Sequence, residues 1–101
     1  MREALLILPN DDNSGASLIA VHAELRRRLC ATFGGYTGQE CFGGYKDFPE
    51  EPGIAYTIAC ENSLQSCSAL LAIARWLRAE ARQEAIYLRQ PSGEVQYIVA
   101  T

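Results

Sequence analysis

Few residues in this chain have the type and spacing to do chemistry. His22 is the only histidine, and the role open to it at neutral pH is general base, provided a partner orients its second ring nitrogen. It falls on one helical stripe with Leu18, Leu25, Leu29 and Phe33, a setting in which a histidine is packed or capped. Asp11 and Asp12, flanked by Asn10 and Asn13, are oxygen ligands in type. However, NDDNSG lacks the alternating spacing and downstream glutamate of a calcium loop and reads as a polar turn leading into a helix cap. Cys30, Cys41, Cys60 and Cys67 contain no CxxC pair and have no histidine at ligand spacing. They read as reduced thiols acting as small core residues, with a Cys41–Cys60 bridge between adjacent strands as the alternative. No catalytic set, metal or cofactor is expected from these residues.

Two further groups are suited to binding. Arg26, Arg27 and Arg28 form a run, and Arg75, Arg78 and Arg82 recur at helical steps. Together they make a basic helical layer opposite the acidic Asp47, Glu50, Glu51 and Glu61. Such a layer is a solvated helix face or the steering surface for an oriented partner, with Arg28, Arg75, Arg78 and Arg82 as the residues to test. Tyr36, Tyr45, Tyr56, Tyr87 and Tyr97 all fall on expected strands. An RNA-recognition sheet would add a basic residue and closely spaced aromatics on its third strand, whereas IAYTIAC offers one tyrosine and no basic residue. Tyr56 and Tyr97 are the tyrosines expected on a partner surface. Trp76 lies beside the main stripe of the second helix, packed against the first helix or a partner.

The positioning elements follow from composition and period. At 101 residues, 49% apolar and 21% charged, the chain is one ordinary globular domain. Its net charge of −3 and sequence pI near 5.0 count against phosphate-driven nucleic-acid binding. The apolar run before Pro9 is five residues long, too short for a secretory core or a membrane span, so a cytoplasmic location is expected.

ALLIL at 4–8 is apolar throughout and reads as a strand buried on both faces. Ser14 or Asn13 is expected to cap the first helix, which should stop at Gly34-Gly35. A strand over 36–45 follows, and its second FGGY copy suggests a bulge. The two FGGY copies lie nine residues apart without wider self-similarity, so they mark element ends and not a duplication. KDFPEEPG reads as a connection and 54–60 as a third strand with no charge on either face. Asn62 or Ser63 caps a second helix striped by Cys67, Leu70, Ala74, Leu77 and Ala81. A hairpin, AIYLRQ and VQYIVA around PSGE, closes the chain. The order is βαββαβ plus one strand: an α+β, ferredoxin-like domain with both helices on one face and spatial order 5-4-1-3-2. Two helices cover one face only, and the central strands are apolar on both, so the second face should be an apolar interaction patch.

Several segments, GGYT, AYTIAC, IARWL and QEAIYLRQPSGEVQYIV, together resemble those of short phage and plasmid proteins of unknown function. The resemblance implies an accessory role and transfers no catalytic residue. With the apolar face, it points to a non-enzymatic homodimeric protein that binds a macromolecule, of which a defence-complex inhibitor is one form. The rival expectation is a small dimeric α+β barrel enzyme or small-molecule-binding domain with a pocket near His22.

Overall fold

The structure is a computed structural model describing residues 1–100, except for the side chains of Tyr45 and Phe48. Its elements are β1 (Arg2–Pro9), α1 (Ile19–Phe33), β2 (Thr37–Tyr45), β3 (Phe48–Cys60), α2 (Leu64–Glu80), β4 (Ala85–Arg89) and β5 (Val95–Val99). The strands form one sheet in the order β2-β3-β1-β4-β5, the order expected from the sequence, and every pairing is antiparallel. Among the described residues, no helix is long and apolar enough to cross a membrane.

Strand parity decides what each face carries. Ala4, Leu6 and Leu8 pair with Ile58, Tyr56 and Ile54, and Leu6 pairs with Leu88 on the other side. These residues point at the helices. They join Leu25 and Leu29 of α1, Leu70, Ala74 and Leu77 of α2, and Ile86 and Ile98 in the core. The opposite parity brings Leu5, Ile7, Ala55, Thr57, Tyr87, Tyr97, Val95 and Val99 to the face without helices. Leu5 and Ile7 there are half-buried, and Val95, Tyr97 and Val99 are exposed. Arg89, opposite Leu5, is a charge on this face, and the centre is aliphatic and aromatic.

Two boundaries differ from expectation. The segment KDFPEEPG is mostly strand, because β2 and β3 run out past the sheet as a two-stranded arm closing at Tyr45↔Phe48. Its prolines are tolerated because each outer strand there has one neighbour to satisfy. The expected bulge is present, as a register shift between Gly43 and Tyr45. The start of α1 also differs: Leu18 occupies the N-cap with no side-chain cap, and neither Asn13 nor Ser14 caps the helix. Ser14 is instead drawn into the preceding loop, where its N–H and hydroxyl both donate to Asp12 Oδ1, as does the Ala16 N–H. These bonds, the Ser14 hydroxyl first, hold the Asp12 carboxyl below its ordinary range. The other terminal signals are as expected: Gly34 is left-handed at the end of α1, and Ser63 Oγ accepts the Ser66 N–H.

Gly53 marks the tightest crossing. A Cβ built there would lie 2.7 Å from the Leu8 carbonyl oxygen and 3.0 Å from Pro9 Cα, so backbone would have to move. One residue earlier in β3, the Pro52 carbonyl accepts the Asn10 N–H, joining the 10–18 loop to β3. Gly53→Ala is therefore expected to destabilise the fold by about 1–3 kcal/mol, read as a lowered denaturant midpoint at unchanged slope. An unchanged midpoint would show that the strands are not held at this spacing.

Candidate functional site

The sheet end at Pro9 and Gly53 carries two clusters, one on each face. On the helix side, α1 presents His22 one turn past its start, and the ring is buried. Pro9 carbonyl accepts at 2.8 Å from His22 Nε2, and a carbonyl can only accept, so Nε2 carries the proton. His22 Nδ1 then accepts from the Tyr56 hydroxyl at 2.6 Å, and Arg26 Nη1 donates to the same oxygen at 3.4 Å. Burial, with the Arg26 charge adding to it against the Pro9 bond, pushes the imidazole below its ordinary range, while burial pushes the Tyr56 phenol up. An adjoining open cleft of about 260 Å³ is lined by Asn10, Asp11, Ser17, Ile19, His22, Arg26 and Ile54. Both imidazole nitrogens are engaged within the protein, an arrangement that ties β1, α1 and β3 together.

The second cluster lies on the face without helices. A half-open cavity of about 170 Å³ is lined by Ile7, Cys41, Glu51, Gly53, Tyr87 and Tyr97, together with Glu84 and the Gly43–Gly44 arm. Register explains the convergence: Cys41 pairs with Gly53 and Gly43 with Glu51, while Tyr87 and Tyr97 are paired neighbours. The two tyrosine rings meet edge to face at 5.8 Å between centroids, making a firm aromatic wall. Burial pushes the Glu51 carboxyl up, and the Asp11 charge adds to the effect. Burial also raises the Cys41 thiol, which makes it a poor nucleophile at neutral pH. A half-buried carboxylate in a cavity shared with two aromatic rings is a binding arrangement for an organic cation.

The residues singled out from sequence are scattered over the molecule. Tyr56 is 1% exposed and sits inside the core. Tyr97 is 54% exposed at the cavity. Tyr45 is on β2, and its side chain lies outside the described residues. The Arg28 guanidinium stacks 3.9 Å over the Trp76 ring and also meets Glu24, linking the two helices. Glu24, held mainly by Arg27, has its carboxyl lowered to about 2. Arg78 donates to the Gln83 carbonyl, while Arg75 and Arg82 are exposed. Cys41 of β2 pairs with Gly53, seven residues along β3 from Cys60, and the two cysteines fall on opposite sheet faces, which no disulfide can span; both are free. Sequence reasoning counted Glu51 only as part of an acidic region, because its expected connection is strand and its convergence with Tyr87 and Tyr97 exists only in the register.

No protein-family model and no curated protein matches the chain. Two solved structures do: a phage SAM lyase in complex with S-methyl-5'-thioadenosine, at TM-score 0.76 and 15% identity, covering 97% of this chain and 88% of that one, and a phage SAM lyase in the apo state, at TM-score 0.74 and 17% identity over the same shares. The likeness is one of fold, and the proteins it reaches are phage proteins. It overturns the expectation of a non-enzymatic binding protein, and with it the defence-complex inhibitor, since the proteins matched are lyases and the match spans most of both chains. The expectation of a small enzyme or small-molecule domain accords with it better.

The His22 network carries its own prediction. His22→Ala leaves the Pro9 carbonyl and Tyr56 hydroxyl without that partner and is expected to cost about 1–3 kcal/mol. Because the folded state favours neutral imidazole, the unfolded chain takes up the proton first, and wild-type stability falls as the pH drops below 6.5. The variant's chemical-denaturation profile should lose that component of acid sensitivity; an identical profile would mean that His22 is not buried neutral.

Proposed function

We propose that the chain is a small enzyme acting on an adenosyl sulfonium, cleaving S-adenosylmethionine or a close analogue to S-methyl-5'-thioadenosine at the cavity of Glu51, Tyr87 and Tyr97. The observation that carries this reading is the likeness to phage SAM lyase across 97% of this chain and 88% of the matching chain, together with a carboxylate-and-tyrosine cavity suited to a cation.

The chemistry asks little of the protein's own acids and bases. The substrate's carboxylate closes a five-membered ring on its γ-carbon while the Cγ–S bond breaks. The bonding pair goes to sulfur, and the products are the neutral thioether and homoserine lactone. No proton is transferred and no water is consumed. The sulfonium and carboxylate charges cancel along the way while the α-ammonium persists, so a weakly polar lining such as Ile7, Ala85, Tyr87 and Tyr97 favours the transition state over the separated sulfonium and carboxylate of the substrate. Glu51 contributes attraction for the cationic substrate, and the paired tyrosine rings provide a wall against which its reactive chain can fold.

The cavity is smaller than the roughly 300–1,000 Å³ of sites that enclose a ligand. A second copy of the chain, seated on the exposed Val95, Tyr97 and Val99, would complete the enclosure, and we propose a homo-oligomer on that ground. A cytoplasmic location goes with this reading, since all the cysteines are free thiols.

Purified protein incubated with S-adenosylmethionine should yield S-methyl-5'-thioadenosine, measured by chromatography with mass detection. Glu51→Gln should lower kcat/KM by about tenfold or more, as expected for loss of a partly buried charge contact. Since the raised Glu51 carboxyl must ionise to hold a cation, affinity should weaken as the pH falls through its raised range and be full well above it. Absence of the thioether, with no thermal shift on adding it, would remove the reading. Sedimentation velocity should show a species larger than 11.1 kDa; a pure monomer at high concentration would remove the oligomer.

A further inference from the structure

Lys46 Nζ meets Glu84 Oε1 at 2.5 Å, joining segments 38 residues apart in the chain. One end is the tip of the β2–β3 arm; the other is the loop between α2 and β4. Gly43 and Gly44 of that arm, Gln83 and Glu84 of that loop and Ala85 at the start of β4 all line the Glu51 cavity, so the ion pair bridges two segments of its lining. We infer that the arm tip is a reversible clasp over this cavity, closed by Lys46 and Glu84 and pivoting at the Gly43–Gly44 bulge.

Backbone conformation supports the assignment. Among the described residues, two non-glycines have positive φ, Lys46 at 53° and Arg82 at 52°. Glycine or asparagine would sit in either place with less strain, and such outliers persist where a side chain or a loop course is required. One is the clasp residue itself, and the other sets the course of the loop presenting Glu84. That loop is a fixed anchor: the Gln83 N–H donates to the Arg78 carbonyl, Arg78 Nη1 donates to the Gln83 carbonyl, and Gln83 Nε2 donates to the Ala81 carbonyl. The arm is the moving half. Its outer end extends past the sheet, paired strand to strand alone, and its register slips at the bulge.

Energetics suit a gate rather than a lock. Lys46 and Glu84 side chains are 57% and 41% exposed, and ion pairs so placed are weak and screened by salt. Thermal motion opens such a clasp, and a ligand can enter without a large penalty. The inference concerns access to the cavity and holds whatever small molecule occupies it.

Cys41, half-buried in the cavity lining, reports opening without any ligand, and the exposed Cys30 on α1 is an internal reference. N-ethylmaleimide labelling, resolved by peptide mass spectrometry, gives the Cys41 rate relative to Cys30. Lys46→Ala and Glu84→Ala should each raise that ratio about two- to fivefold, the factor by which losing an exposed ion pair shifts an open–closed equilibrium. The charge-exchanged pair Lys46→Glu with Glu84→Lys should return it to the wild-type value. Unchanged ratios in both single variants would overturn the clasp. Acceleration that the exchanged pair does not reverse would overturn it too, since the effect would then be general loosening. Lack of lyase activity bears on the proposed reaction and leaves this readout intact.

Discussion

A five-stranded sheet with central strands apolar on both sides, served by only two helices, is the constraint on which this molecule is built. Strand parity sends Ala4, Leu6, Leu8, Tyr56 and Ile58 toward the helices, where they are almost completely buried. The same alternation places Leu5, Ile7, Ala55 and Tyr87 on the other side, where they are half-buried and, among the described residues, no helix covers them. The cavity with Glu51 forms on that side because the surface is already greasy and needs only a rim. The β2–β3 arm and the loop before β4 supply that rim. Fold and candidate site thus share one origin, the surplus of apolar strand surface over helix.

The crossing of Leu8 and Gly53 makes the two faces mechanically one. Because β3 lies this close to β1, the Asn10 N–H reaches the Pro52 carbonyl, and the Pro9 carbonyl is held where His22 donates to it. Asp12 braces the same loop from within by accepting from Ser14 and Ala16. Glu51, two residues from Gly53, therefore stands on a backbone fixed by His22 on the far side of the sheet. A buried imidazole thus braces the strand crossing from one face, while the carboxylate stands on the other. That division of labour suits a site whose charged group needs fixed placement more than it needs a proton relay.

Strand order, helix ends at Gly34 and Ser63, the bulge at Gly43 and the bare apolar face were legible in the sequence, because each follows from local period, turn chemistry or the count of helices. The 48–53 stretch was not. Pro49 and Pro52 read as breakers, and their tolerance depends on β2 being the sole neighbour of the outer arm, a fact of tertiary pairing. The loop cap failed for a related reason: Asp12 competes for Ser14, and Leu18 is buried at the helix start by the core. The site was hidden more deeply. Cys41, Glu51, Tyr87 and Tyr97 come from four places in the chain, and none of them forms a motif with its sequence neighbours.

Reading function from the absence of a catalytic set went astray for a chemical reason. Motifs record reactions in which the protein supplies a nucleophile, shuttles a proton or holds a metal, since each of those needs particular residues at particular spacings. A sulfonium carries its own leaving group, and in S-adenosylmethionine it carries its own nucleophile as well, so the reaction proposed here is one molecule closing on itself. What the protein adds is confinement, a weakly polar wall and one attracting charge, and all three can be built from residues that look like ordinary strand interior. Ile7, Tyr87 and Tyr97 would be chosen by any sheet that must bury a face, and Glu51 by any acidic hairpin. Under the proposed chemistry, an apolar surface and a reaction site make the same demands on sequence, and strand register is what tells them apart.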